Sequence, residues 1–186
     1  MSLTTAQRVT LKAAILADTN PLVIAALGGG DVGRNDTELA RLYNLYSTIV
    51  VWRKDASKSK MFGAITWKNM TPADTPDGTT LWTNRSLACQ GKQFISQTML
   101  ISPGETLDMS IVKIRDGIKD SLQDLPAGAG GALLDAGWAA VKAVSTRFVT
   151  VAEKLFATGT GTDATPGTPV FEGFVTIADI GEAMNG

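Results

Sequence analysis

The sequence predicts a mainly α protein: a small helical bundle with one long helix and a C-terminal extended arm ending in a short strand and helix. Three observations carry this. Over residues 131–157 apolar side chains recur at helical steps, with Leu134, Trp138, Val141, Phe148, Ala152 and Leu155 forming a stripe that Val144 and Val151 widen. Cap signatures precede several shorter helical stretches. Between them, 19 glycines and 7 prolines among 186 residues punctuate the chain.

Taken in order, Thr4 and Gln7 have capping-box spacing, and Val9, Leu11, Ala14 and Ile15 supply a face, so a helix is expected over residues 5–17. Asn20-Pro21 repeats the start signal, and Pro21–Leu27 reads as a short helix ended by Gly28-Gly29-Gly30. These two short capped helices suggest a helical hairpin. A third helix starts at Asp36 or Thr37 with Leu39, Leu42, Tyr43 and Tyr46 on one side, and fades into the β-favouring run Ile49-Val50-Val51-Trp52, read as extended. Residues 58–65 form another short helix with Met61, Phe62 and Ile65 inward, and Trp67 is read as core.

Residues 70–80 are a loop by composition, and residues 81–101 a helix weakened by Gly91. Ser102-Pro103-Gly104-Glu105 reads as a helix start, opening a stretch whose Leu107, Ile111, Ile114, Ile118 and Leu122 face inward. Leu125-Pro126 and the glycines after it turn the chain back into the long helix, which at 1.5 Å per residue spans roughly 40 Å. Residues 158–168 are small or turn-forming throughout and bury nothing. Beyond them, residues 170–175 favour a strand, and Thr176 with Asp179 caps a last helix containing Ile177, Ile180 and Met184. The organisation is therefore 1–157 helical domain, 158–169 flexible Gly/Thr linker and 170–186 C-terminal docking arm.

Composition narrows the chemistry. A net charge of −1, with lysines and arginines scattered, supplies no field for a polyanion, and the mild basic run from Arg53 to Lys60 reads as a solvated turn. The single cysteine, Cys89, excludes an intramolecular disulfide and a multi-thiolate zinc site. With no histidine, the commonest base and metal ligand is missing. The first residues lack a basic-then-apolar secretion signal, no run is long enough to span a membrane, and no membrane association is expected.

Each candidate site has a plainer reading beside it. Residues 28–33 match the glycine fingerprint of dinucleotide folds, but no series of strands alternating with helices surrounds them, so a linker is preferred. The glycine- and threonine-rich strip after residue 158 has no lysine for a phosphate. Asp74 and Asp77, and Asp116, Asp120 and Asp124 at helical spacing, offer paired carboxylates or hard-cation ligands. Lys113 and Lys119 interleave with the second set, which favours a solvated face. Ser57 and Lys60 have Ser-x-x-Lys spacing without companion motifs. Two glycosylation sequons, at Asn35 and Asn84, mean nothing without secretion. The residues thus predict no enzyme, no cofactor and no metal site. An apolar strand and helix on a flexible tether make sense if the arm docks on its own domain or on another subunit.

A resemblance sharpens this. The run from Val151 through Leu155-Phe156-Ala157 to Gly161-Thr162, then Phe171-Glu172-Gly173, resembles a block in small proteins of tailed bacteriophages. The start, Leu3-Thr4-Thr5-Ala6-Gln7 through Leu11-Lys12-Ala13, and Val51-Trp52-Arg53 are similar to the same group, the head–tail connector (adaptor) family. Together these stretches touch both ends and part of the middle; residues 74–101 show no match.

The resemblance implies a structural virion protein, assembled in the host cytoplasm and placed in the neck of the particle. It implies a homo-oligomeric ring of about twelve copies that meets the portal protein on one side and a tail, stopper or nozzle protein on the other. DNA would pass through the ring without sequence-specific binding. Phe171, Phe174, Ile177, Ile180 and Met184 are then the expected partner-docking residues. The alternatives are a head-decoration or tail-completion protein, which copy number per particle separates, and a nucleotide-binding enzyme built on the glycine cluster, which a thermal-shift screen against nucleotides would retire.

Overall fold

The computed structural model describes residues 3–28, 33–67, 80–122, 131–162 and 164–186, with backbone alone at 80–86, 88–89 and 131–136. The mainly α character holds. The helices are α1 (Thr5–Ala17), α2 (Pro21–Leu27), α3 (Asp36–Tyr43), α4 (Lys58–Ala64), α5 (Thr80–Ile101), α6 (Val112–Leu122), α7 (Gly131–Ser145), α8 (Val151–Phe156) and α9 (Ile177–Asn185). Among the described residues six short strands accompany them: β1 (Tyr46–Trp52), β2 (Ala56–Ser57), β3 (Thr106–Leu107), β4 (Thr146–Thr150), β5 (Ala157–Thr158) and β6 (Thr168–Pro169). They pair two by two, as β1 with β4, β2 with β3 and β5 with β6.

The chain divides into two compact units, Met1–Val51 joined by Phe148–Gly186, and Trp52–Arg147. That differs from the expected succession of domain, linker and arm, because the C-terminal residues build the same core as the N-terminal helices. In the first unit Leu3, Leu11 and Ile15 of the α1 region, Val23 and Ala26 of α2, and Leu39, Leu42 and Tyr43 of α3 are buried together with Ala152, Phe171, Val175, Ile180 and Ala183. The caps read from the sequence are made: Thr4 and Gln7 exchange hydrogen bonds at the start of α1, and Asn20 accepts from Leu22 N ahead of Pro21.

The long helix expected over 131–157 is three elements. Helix α7 ends at Ser145, residues 146–150 are extended, and α8 starts anew. The break is physical. Thr146-Arg147-Phe148-Val149-Thr150 is β-branched and aromatic, and Thr150 forms a capping box with Glu153: Thr150 Oγ1 accepts from Glu153 N at 3.1 Å while Thr150 N donates to Glu153 Oε2 at 2.9 Å. Among the expected stripe, Val141 is buried in the second unit and Ala152 in the first, while Phe148 is exposed.

The residues expected to form a flexible linker are tied down. β5 and β6 pair antiparallel, Ala157 with Pro169 and Thr158 with Thr168. Val50 N donates to Gly161 O at 2.8 Å and Gly167 N to Val50 O at 2.9 Å, so the strip completes the hydrogen bonding of β1. Its glycines are required by close approach. A Cβ on Gly161, at φ +65°, would lie 2.3 Å from Ile49 Cγ2, and one on Gly167 would lie 2.7 Å from Thr158 O. After β6, residues 170–175 are irregular instead of a strand.

The second unit buries Trp52, Ala56, Met61, Ile65, Leu100, Met109, Ile118, Leu122 and Val141. Trp52 and Trp138 rings sit 6.0 Å apart, and the Arg115 guanidinium lies 4.9 Å from the Trp52 centroid. Arg115 is fixed there by donating to Met109 O at 2.7 Å and Ser110 O at 2.8 Å. Phe62 and Trp67 pack at 4.5 Å, and Trp67 Nε1 donates to Phe62 O, in keeping with the inward reading of both.

Ser102-Pro103-Gly104-Glu105 does not open a helix. It closes α5. Gly104 has φ +95°, and Ser102 Oγ donates to Met99 O at 2.8 Å. α6 begins ten residues after Ser102, at Val112, behind an Asx turn in which Asp108 Oδ1 accepts from Ser110 N at 2.9 Å. A serine, a proline and a glycine near a helix end serve either terminus, and only the backbone direction distinguishes them.

Candidate functional site

The expected docking residues lie in the first unit, on a C-terminal segment anchored by polar contacts spread across the sequence. Helix α9 forms because Thr176 caps it: Thr176 Oγ1 accepts from Asp179 N at 3.0 Å, and Asp179 Oδ2 accepts from Thr176 N at 2.9 Å. The other oxygen of the buried Asp179 carboxylate accepts from Leu3 N at 3.2 Å, tying the first described residue of the chain to this helix. Burial works to raise the Asp179 pKa, but hydrogen bonds from Thr176 and Leu3, with the Arg8 charge, outweigh it and hold the carboxyl below the usual aspartate range. Arg8 forms an ion pair with Glu182, and Arg34 donates to Asn185 Oδ1 at 3.1 Å.

Upstream of α9 two further clamps act. The Asn44 side chain works as a strand partner, its Nδ2 donating to Val175 O at 2.8 Å and its Oδ1 accepting from Val175 N at 2.9 Å. The buried Glu153 carboxylate, already part of the α8 cap, accepts from Gly173 N at 2.9 Å through Oε1. Phe171 meets Phe156 edge to face, with centroids 5.7 Å apart.

This placement sorts the five expected docking residues. Phe171 and Ile180 are buried in the unit's own core, and Met184 packs partly against it. These three are corrected from partner contacts to core residues, since the chain itself shields them from water. Phe174 and Ile177 remain 62% and 53% exposed, and Val170, which was not among the expected residues, is 62% exposed. Their apolar side chains stand on a backbone that the clamps hold still. All five are large apolar side chains of the C-terminal arm, which is what grouped them; the missing signal was Asn44 and Glu153, distant residues that decide which side faces inward.

The remaining candidates take the plainer reading where they are described. Ser57 caps α4, accepting from Lys60 N at 3.4 Å, which accounts for the Ser-x-x-Lys spacing. Asp116 and Asp120 are exposed on α6 alongside the exposed Lys113 and Lys119. Asp74, Asp77, Asp124 and glycines 29–30 of the fingerprint lie outside the described residues, as does the Cys89 side chain. Among the described residues no group of three metal-ligating side chains comes together, and no single helix is long and apolar enough to cross a membrane.

A cleft of about 720 Å³ in the second unit is lined by Ser57, Lys58, Phe62, Leu100, Ser102 and Glu105 among others. Its buried ammonium, Lys58 Nζ, donates to Ser102 O at 2.9 Å, Ser102 Oγ at 2.8 Å and Pro103 O at 3.0 Å. All its hydrogens are engaged on the carbonyl end of α5, the position where a cation offsets the helix dipole. That is a capping role.

No protein-family model, no curated protein and no solved structure matches the chain.

Proposed function

We propose that the protein is a structural subunit of a tailed-phage virion, a head–tail connector that assembles as a ring between portal and tail. One observation carries the reading. The clamped C-terminal segment uses Phe171 and Ile180 to close its own unit and leaves the apolar side chains of Val170, Phe174 and Ile177 exposed. Apolar side chains on a backbone already fixed by hydrogen bonds leave only their rotamers to be ordered on docking, which suits a surface that another subunit covers.

The resemblance supports it from a second direction. Residues 3–13, 151–162 and 171–173, which carry most of the likeness, are far apart in the sequence yet belong to one unit, where Leu3, Leu11, Ala152 and Phe171 share a core. The described part of the region without likeness, residues 80–101, belongs to the other.

Removing residues 170–186 would unfold the unit and so test nothing. The useful variant is Phe174→Asp with Ile177→Asp, which alters exposed side chains and keeps the core. We expect the wild type to form rings visible in negative-stain images and to co-sediment with portal, and the double variant to lose both while its melting temperature moves little. Wild-type protein that stays monomeric with portal present, or a double variant that still assembles and binds, would defeat the connector reading.

A further inference from the structure

The longest helix, α5, carries an apolar stripe on the side turned away from its own core. Ser96 and Leu100 are buried, whereas Leu87, Phe94, Ile95 and Ile101 are 61%, 69%, 50% and 68% exposed. Leu87, Phe94 and Ile101 recur every seventh residue, so they drift by only about 20° per step and form one nearly straight line down the helix. Between them on the same side are Gly91 and Thr98, both exposed. A Cβ built on Gly91 would meet nothing within 4 Å, so it is an open notch beside Phe94.

These positions are self-complementary. In an antiparallel pair of α5 helices, the register that sets Phe94 opposite Gly91 of a second copy also sets Leu87 opposite Thr98. By symmetry Gly91 then receives the second Phe94 and Thr98 the second Leu87. Each large residue meets a small one, as ridges into grooves at a crossing of about 20° require. A twofold contact demands just this property, one patch fitting itself.

Charge agrees with it. Residues 80–101 hold no acid and only two basic residues, Arg85 and Lys92, and Lys92 Nζ is drawn to Asp120 O on α6, away from the stripe. The four exposed residues form the apolar centre of such a patch, and Phe94 is its largest member. A stable pair needs ~1,200 Å² in total, so the polar residues flanking the stripe complete the contact around this apolar centre.

We infer that the outer face of α5 is a homodimer interface in which two copies pair antiparallel across a twofold axis, Phe94 seating on Gly91 of the partner. The inference goes beyond the connector reading. A twofold contact closes on two copies, so a ring is built by a different surface, and the two can fail independently.

Sedimentation of the full chain, 19.6 kDa as a monomer, tests it together with cysteine cross-linking in a Cys89→Ala background. Leu87→Cys with Thr98→Cys is expected to yield a disulfide-linked dimer on mild oxidation, because those positions face each other. Leu87→Cys alone is not, since the two copies of residue 87 lie about 16 Å apart along the axis. Phe94→Glu is expected to leave the circular dichroism spectrum unchanged and to raise the dimer dissociation constant at least tenfold. A protein that is monomeric at every concentration, a cross-link from Leu87→Cys alone, which signals parallel pairing, or a dimer indifferent to Phe94→Glu would each overturn it. Rings that survive Phe94→Glu while the dimer is lost would uphold both the inference and the connector reading.

Discussion

The two units reach stability by different routes. The first is assembled from the two ends of the sequence and is locked by side-chain clamps to backbone: Asn44 on Val175, Glu153 on Gly173 and Asp179 on Leu3. The second is one continuous segment whose core is built on bulk, with methionines, Trp52 against Trp138 and a guanidinium over an indole ring, and whose clamps, Lys58 on Ser102 and Pro103 and Arg115 on Met109 and Ser110, come from basic side chains at helix ends and turns. The difference teaches where specificity is required. Chain ends brought together from a distance are fixed by carboxylate and amide side chains gripping backbone N–H groups, whereas the continuous segment sets its register by large apolar side chains and uses cations to satisfy backbone carbonyls.

The comparison can be tested unit by unit, because all four tryptophans fall within Trp52–Arg147 and both tyrosines, Tyr43 and Tyr46, within the other unit. The largest effects should come from truncating each core. Phe171→Ala is expected to destabilise the first unit by about 3–5 kcal/mol, and Leu122→Ala the second by about 2–5 kcal/mol. In denaturant, tyrosine signals should shift in the former and tryptophan emission in the latter. Shifts of both probes together in both variants would mean that the units unfold as one.

Next in size is a pH effect confined to the first unit. Asp179 is held below the usual aspartate range, so its folded value lies under an unfolded value of about 3.9. The stabilisation is present above that value and is lost as pH falls through the folded one. We expect this part of the unit's stability to disappear as pH falls below about 4. Thermal melts of Asp179→Asn should show a flatter acid limb; an unchanged limb would assign the acid sensitivity elsewhere. At the alkaline end burial first, with the Asp18 charge and hydrogen bond beside it, raises the Tyr43 phenol well above its ordinary value, so this unit also loses stability as pH climbs beyond about 10.

The smallest effect carries a sign. Thr150→Ala removes the cap of α8 and should cost about 1 kcal/mol. Were residues 131–157 one helix, the same change would add a better helix former and stabilise by a few tenths of a kcal/mol. Melting of the variant therefore separates the two readings directly.

Much of the fold was legible because its determinants are local. Thr4 with Gln7, Asn20 before Pro21, and Thr176 with Asp179 act within one turn of helix, and each marks a helix that the structure contains. Thr150 with Glu153 is an equally local signal, but the continuing apolar periodicity of residues 131–157 masked it. The proposed docking surface was half legible: residues 170–186 stood out as apolar, yet nothing in their spacing said that Phe171 turns inward and Phe174 outward.

The sequence alone determined where most helices start, that the chain is mainly α, and that chemistry needing histidine is closed to it. Tertiary structure decided the rest. It made a glycine- and threonine-rich strip into a partner of β1, because backbone amides of Val50 and Gly167 needed acceptors. It folded the arm onto the core of its own unit, because Asn44, Glu153 and Leu3, far away along the chain, supply the hydrogen bonds that hold it. Caps are read over three or four residues, and burial is settled by neighbours that the sequence does not place side by side.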